Sequence, residues 1–231
     1  MRDVTQLHPI LQCKIKQLQS LCEKEGLIIG ISECYRTKTE QDNLYAQGRT
    51  KAGKIVTNVK FPNSMHCWKV AFDFFRNDGK GAYNNSDGFF NKVGKIGQSI
   101  GLEWGGSWKS FVDLPHFQLP YWGSTTSKLK VQFGSPNKFF NSWWKVGNTY
   151  TLKVNSAIHN TASSSGASKV MLKDIKSAMK KKCKADGKGY AVMQKGSKFT
   201  LVDMKIYTGY IMGKTNQGYW IPLFYNDKKR I

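Results

Sequence analysis

The chain has 231 residues and a mass of 26.2 kDa, with 40% hydrophobic and 13% aromatic residues, which suits one large or two modest globular domains. No run approaches the roughly 18 consecutive apolar residues of a membrane span, and the opening MRDVTQLHPILQCKIKQ has neither an apolar stretch nor a small-residue cleavage site, so membrane insertion and a signal peptide are not expected. Lys and Arg number 36 against 15 Asp and Glu, a net charge of +21 that favours a polyanionic partner, whether nucleic acid, an anionic membrane or a wall polymer.

Residues 5–25 carry Leu7, Ile10, Leu11, Ile15, Leu18, Leu21 and Cys22 at helical spacing and stop at Gly26, which predicts an amphipathic helix packed on a core. LIIGISECY (27–35) reads as a buried strand with Arg36 at its exit, and residues 39–48 as a short helix with a Thr start and a Gly stop. After a polar loop (49–60), WKVAFDFF (68–75) alternates as a strand does, with Val70, Phe72 and Phe74 on one face and Ala71, Asp73 and Phe75 on the other. Ser86 is positioned to cap a helix carrying Phe89, Phe90, Val93, Ile96 and Ile100 and closed by Gly101; EWGGSW is then a glycine-rich turn and LPHFQL a further short strand. SPNKFFNSWWKVG (135–147) predicts a closing helix, begun by Ser-Pro and ended by Gly147. The first unit, residues 1–146, is thus expected to be α+β, a small antiparallel sheet with flanking helices.

Beyond it the composition changes. YTLKV, YAVMQ, KFTLVD, GYIMGK and GYWIPLFY are short β-branched and aromatic runs between Gly, Lys and Asn turns, which predicts a mainly-β barrel over 147–231. A helical insert, Lys169 to Cys183, is expected after the Ser-rich loop 162–168. This unit holds 16 basic against 4 acidic residues, where residues 1–146 hold 20 against 11, so the shorter unit is the stronger seeker of polyanions. The five cysteines, Cys13, Cys22, Cys34, Cys67 and Cys183, form no C-x-x-C pair, and free buried thiols are expected rather than a disulfide framework.

Two of the four histidines lie near carboxylates in the first unit. His66 and Asp73 flank a turn-to-strand segment, and Asp113 and His116 share the run Asp113-Leu-Pro-His116. Two imidazoles and a carboxylate, His66, Asp73 and His116, make a three-ligand zinc set with one position open for water, the layout of a catalytic site. Water on such an ion ionises near pH ~7 instead of ~16, and Asp113 is the fourth group, able to take its proton and pass it to a leaving amine. Arg36 supplies a fixed cation for an anion developing on an attacked carbonyl or for a substrate carboxylate, and both roles are open. Cys67, adjacent to His66, points to the opposite face of an extended chain and reads as a packing thiol; His8 and His159 stay outside the site.

Together these residues resemble a known family, the zinc peptidases of bacterial cell walls that include D-alanyl-D-alanine carboxypeptidases and the L-alanyl-D-glutamate endopeptidases of phage endolysins (VanY-like). The resemblance covers nearly all of residues 1–146: Tyr35-Arg36-Thr37 with Glu40-Gln41 and Leu44-Tyr45-Ala46-Gln47-Gly48-Arg49-Thr50, then Ser64-x-His66 with Ala71-x-Asp73, then Trp104-Gly105-Gly106 and Asp113-x-Pro115-His116-Phe117, in that order. It implies one Zn2+ held by His66, Asp73 and His116, with Asp113 as catalytic base and Arg36, Ser64 and Gln41 at the substrate. The family usually has Gly three residues after its first zinc-binding His; Lys69 stands there and implies a different local path or a new cation near the site.

The second unit is similar to the bacterial SH3-like domains of endolysins, with Lys195-Gly196-Ser197-Lys198-Phe199-Thr200 and Gly218-Tyr219-Trp220-Ile221 standing where such domains carry their strands. Trp220, Tyr207, Tyr210 and Tyr219 serve either as stacking surfaces for wall polymer or as barrel core. The resemblance implies a phage peptidoglycan hydrolase that cuts the stem peptide between L-Ala and D-Glu, waits in the host cytoplasm until a holin-type pore releases it, and is tethered to peptidoglycan or teichoic acid. A D-Ala-D-Ala carboxypeptidase is the rival within the class, and a basic wall- or nucleic-acid-binding protein without catalysis is the rival outside it; no nucleic-acid-binding signature is present.

Overall fold

The computed structural model describes residues 2–163 and 165–231, so Ser164 of the Ser-rich loop lies outside the described residues. The chain divides into two compact units, Met1–Trp143 and Trp144–Ile231. Among the described residues no helix is long and apolar enough to cross a membrane.

The first unit opens with α1 (Pro9–Lys24), where His8 caps the helix by accepting the Ile10 N–H on Nδ1 at 3.1 Å and Pro9 occupies the first turn. Its stripe of Ile10, Leu11, Cys13, Ile15, Leu18 and Cys22 is buried. Strand β1 (Ile29–Glu33) follows, then α2 (Lys38–Ala46). The start of α2 is Thr37 rather than Thr39, because Thr37 and Glu40 form a capping box: the Glu40 N–H donates to Thr37 Oγ1 at 3.2 Å and the Thr37 N–H to Glu40 Oε2 at 2.8 Å.

The expected strand 68–75 begins later. Met65–Trp68 is a 3-10 turn, Lys69 closes it in the left-handed conformation at φ 59°, and β2 runs Ala71–Arg76. Helix α3 (Phe89–Ser99) has Gly88 at its cap, not Ser86; Asp87 Oδ1 and Asn85 Oδ1 accept the free N–H groups of Phe89 and Phe90. Strands β3 (Glu103–Trp104) and β4 (His116–Gln118) complete an antiparallel sheet in the order β1-β2-β4-β3. Helix α4 (Thr126–Phe133) is not anticipated by any apolar stripe, since Leu129 is its single buried residue. Helix α5 (Pro136–Asn141) stops six residues short of Gly147.

Helix α3 packs on the sheet face that carries Phe72, Phe74 and Phe117: the Phe117 ring lies 5.6 Å from Phe72 and 5.2 Å from Phe74, and Phe90 of α3 lies 5.1 Å from Phe74. Gly94 and Gly97 let α3 approach: a Cβ there would come within 2.4 Å of the Trp104 ring and 2.2 Å of the Phe117 ring. The other face carries the polar groups. The register sets Asp73 opposite both Glu33 on β1 and His116 on β4.

The second unit runs through β5 (Thr149–Thr151), β6 (Ser156–Ala157), α6 (Ser177–Lys180), β7 (Cys183–Ala185), β8 (Ala191–Met193), β9 (Lys198–Ile206), β10 (Tyr210–Thr215), β11 (Trp220–Tyr225) and β12 (Lys228–Lys229). It forms a five-stranded antiparallel sheet, β12-β11-β10-β9-β5, and a three-stranded one, β6-β8-β7. The expected helix from Lys169 to Cys183 shrinks to the 3-10 turn Leu172–Asp174 and the four-residue α6. Extended pairing prevails at its start, where Val170 N–H donates to Ile158 O and Ala191 N–H to Val170 O at 2.7 Å. Trp220 and Tyr219 are buried, so they belong to the core; Tyr207 and Tyr210 stack on each other at 4.8 Å.

Candidate metal centre

The paired strands bring together the groups that the sequence separates. His66 leaves the 3-10 turn, Asp73 stands on β2 and His116 starts β4. Asp73 Oδ1 lies 3.2 Å from His66 Nε2 and 3.1 Å from His116 Nδ1, and one ligand atom from each of the three falls within 4.8 Å of the others.

Hydrogen bonds behind the cluster decide which nitrogens face it. His66 Nδ1 lies 2.7 Å from the Cys34 carbonyl, which can only accept, so the proton sits on Nδ1 and Nε2 presents a lone pair to the centre. His116 is held the other way round. Its Nε2 lies 3.2 Å from Gln118 Oε1, and Gln118 Nε2 donates to the Ser124 carbonyl at 2.8 Å, which fixes the amide and leaves Nδ1 as the lone pair. Two lone pairs and a carboxylate oxygen therefore converge in a buried site, a repulsive arrangement unless a cation or protons lie between them. That donor set of two nitrogens and one oxygen fits a divalent zinc ion.

The same demand appears in the ionisation of the cluster itself. Burial pushes the Asp73 carboxyl up, but the imidazoles of His66 and His116 outweigh it and hold the group well below the ordinary carboxylate range. Burial pulls His116 down, yet its hydrogen bond to Asp73 and the charges of Asp73 and Asp113 raise it overall. Arg36 Nη2 donates to the second oxygen of Asp73, Oδ2, at 3.2 Å, and its Nε pairs with Glu33 Oε2 at 3.4 Å. Beside the two roles open to Arg36, the structure shows a third contact: it holds the Asp73 carboxylate from the side away from the imidazoles.

Asp113 lines the same cleft, and its carboxyl is raised by burial first, with the Asp73 charge adding and the histidines opposing. Its backbone is held close by Gly105, whose carbonyl accepts the Asp113 N–H at 3.1 Å; a Cβ on Gly105 would come within 2.6 Å of the Asp113 carbonyl, so a side chain does not fit there. Trp104 Nε1 donates to Leu114 O at 2.8 Å, tying the Trp-Gly-Gly turn to the Asp-x-Pro-His segment.

The cleft encloses about 920 Å³ and is lined by His66, Asp73, Asp113 and His116 together with Arg36 and Ser64. Gln41 is not at its surface. Fully buried, it donates from Nε2 to Thr57 Oγ1 at 3.1 Å and Val59 O at 2.7 Å, so it supports the 57–59 wall of the cleft. Lys69 corrects the expectation of a different path: it takes up the left-handed conformation natural to glycine, and its Nζ lies 4.4 Å and 4.6 Å from the ring centres of Tyr35 and Phe140. Cys67 is a buried packing thiol, on a 3-10 turn instead of a strand.

Sequence reasoning missed Gln118, Trp108, whose ring centre lies 5.1 Å from that of His116, and Glu103, which accepts from Trp108 Nε1 at 2.9 Å. Gln118 was within reach, because a residue two positions from His116 on a strand shares its face. The Cys34 carbonyl carries no side-chain signal at all.

A family model described as D-alanyl-D-alanine carboxypeptidase matches residues 57–119. The peptidoglycan L-alanyl-D-glutamate endopeptidase CwlK of Bacillus subtilis (strain 168) is 36% identical over 122 residues, covering 49% of this chain and 73% of that protein. The L-alanyl-D-glutamate peptidase of Listeria phage A118 is 31% identical over 128 residues, 54% of this chain and 42% of that protein, so the chain spans less than half of the phage relative. Among solved structures, the Serratia marcescens L-Ala D-Glu endopeptidase ChiX aligns with a TM-score of 0.35 and 18% identity, covering 50% of this chain and 82% of that one.

Proposed function

The chain belongs to the D-alanyl-D-alanine carboxypeptidase family of peptidases, and on that premise we propose that it is a zinc-dependent endopeptidase that hydrolyses the peptidoglycan stem peptide between L-Ala and D-Glu. The convergence of His66 Nε2, Asp73 Oδ1 and His116 Nδ1 beside the half-buried Asp113 is the observation that carries this assignment. The names of the two curated relatives support the choice of bond.

His66, Asp73 and His116 would hold the ion, which when bound polarises the scissile carbonyl and makes water a nucleophile near neutral pH. Asp113 accepts the proton of the attacking water on its carboxylate. The burial that raises its carboxyl also lets it hold that proton long enough to deliver it to the leaving amine. Arg36 keeps Asp73 Oδ2 occupied, so that Oδ1 stays aimed between the two imidazoles. Ser64, on the cleft surface next to His66, is in reach of the substrate backbone.

The second unit, taken as residues 147–231, serves in this proposal as an SH3-like wall-binding domain. Its surplus of Lys and Arg supports attraction to peptidoglycan carrying anionic teichoic acid, and tethering raises the effective concentration of the first unit at its bonds. A phage endolysin released from the host cytoplasm at lysis is the setting consistent with the phage relative.

Mass spectrometry of Gram-positive peptidoglycan digested by the protein tests the assignment. New D-Glu amino termini are expected, and they should vanish with a chelator and in Asp113→Asn. Release of D-Ala alone would replace the endopeptidase with a carboxypeptidase.

A further inference from the structure

At the end of β2 the buried Arg76 commits its whole guanidinium to the loop 77–88. Nε and Nη2 donate to the two oxygens of Asp78 at 2.7 and 2.9 Å, and Nη1 and Nη2 donate to those of Asp87 at 2.9 and 2.7 Å. The Arg76 N–H donates to the Ala82 carbonyl at 2.9 Å, and Nη1 reaches the Asn84 carbonyl at 3.4 Å. The two residues held in this way are the chain neighbours of Tyr83. Tyr83 is itself 66% exposed, and it lines the same cleft as His66, Asp73 and His116.

A second exposed ring lines that cleft. Phe111, 56% exposed, lies on the loop between β3 and β4, whose ends are tied because Trp108 N–H and Asp113 N–H both donate to the Gly105 carbonyl at 3.2 and 3.1 Å. Ordering a loop costs conformational entropy, and holding an aromatic face in water forgoes its burial. Both costs are offset when a ligand covers the ring, and a pre-ordered ring binds without paying for ordering at that moment.

The chemistry of the proposed substrate supplies the ligand. In a peptidoglycan stem the amino group of L-Ala is amide-linked to the lactyl ether of N-acetylmuramic acid, so a site that cuts after L-Ala has a sugar one residue from the scissile bond. The C–H face of a pyranose is apolar and matches an aromatic face, whereas a bare peptide end leaves both rings uncovered. Resting on the stem-peptide function proposed above, the geometry points to Tyr83, with Phe111, as the stacking surface for the N-acetylmuramyl sugar, making the glycan part of what the cleft recognises.

The test uses the full-length, zinc-loaded Asp113→Asn protein and calorimetric titration with two probes, N-acetylmuramyl-L-alanyl-D-isoglutamine and the sugar-free L-alanyl-D-isoglutamine. The sugar-bearing probe is expected to bind about tenfold more tightly, the scale of one aromatic stacking contact. Adding Tyr83→Ala should bring it down to the affinity of the bare dipeptide, Phe111→Ala should do so in part, Tyr83→Phe should retain it, and the bare dipeptide should be unaffected throughout. Equal affinities, no binding of the muramyl probe, or a preference that survives Tyr83→Ala would overturn the inference. Incubating wild type with the muramyl probe and looking for free D-isoglutamine tests the bond separately: a sugar preference without release sinks the bond assignment and leaves the stacking surface standing.

Discussion

Gln118 Oε1 lies 3.2 Å from His116 Nε2, two residues along the same strand and on the same face. With its other amide atom tied to the Ser124 carbonyl, Gln118 cannot present a donor to the ring, so it dictates the tautomer in which His116 Nδ1 is free to ligate. Gln118→Leu keeps the shape but removes the acceptor. Metal affinity is expected to fall by roughly 10–100-fold, the usual cost of losing a partner behind a ligand. Competition with a chromophoric chelator measures it, and an unchanged affinity would show that His116 orients itself.

Lys69 poses a problem of opposing magnitudes. A non-glycine residue at φ 59° costs about 1–2 kcal/mol, while its ammonium gains roughly 0.5–1 kcal/mol from each of two aromatic faces. Lys69→Gly relieves the strain and loses the contacts, so stability is expected to stay within about 1 kcal/mol of wild type. Lys69→Ala keeps the strain and still loses the contacts, and should cost about 1–2 kcal/mol. Urea unfolding of the two variants separates the terms; equal losses would mean that the left-handed backbone at position 69 carries no cost.

The chemistry of the site was more legible than its scaffold. His66, Asp73, Asp113 and His116 stand out because few residue types bind zinc or move protons, whatever the backbone does. The period of β2 also divides Phe72 and Phe74 from Asp73 correctly. The pairing of Asp73 with His116 was not readable, since register across 43 residues depends on contacts remote in the chain. Local competition hid the rest: Thr37 outbids Thr39 because only Thr37 has Glu40 three residues on, and Ser86 yields to Asp87 and Asn85, which already satisfy the first N–H groups of α3. Helix α4, with one buried residue, offers no stripe to detect.

The Arg76 cluster predicts how the first unit responds to acid. Hydrogen bonds from Arg76 hold Asp78 at about 2, below its ordinary 3.8, and lower Asp87 as well. A carboxyl depressed in the folded state favours folding above its unfolded value, and that contribution is lost as pH falls towards the folded one. Melting temperature should therefore drop between about pH 4 and pH 2. Asp78→Asn should melt lower at neutral pH and respond less to acid over that window; parallel curves for the two proteins would show that the pair does not contribute.

The three converging ligand atoms predict that the stability of the first unit depends on zinc. In the metal-free protein His66 Nε2 and His116 Nδ1 lie 3.2 and 3.1 Å from Asp73 Oδ1, distances that require protons between them, and an ion taking the place of those protons is expected to favour the folded state. Zinc at about 100 times its dissociation constant should then stabilise the first unit by roughly 2.7 kcal/mol. Differential scanning calorimetry with and without a chelator is expected to show one zinc-dependent transition and one that ignores the metal, because the second unit holds none of these ligands. In His116→Ala the shift should collapse while the zinc-independent transition stays in place. A zinc shift that persists in that variant would move the ion to other ligands and remove His116 from the site.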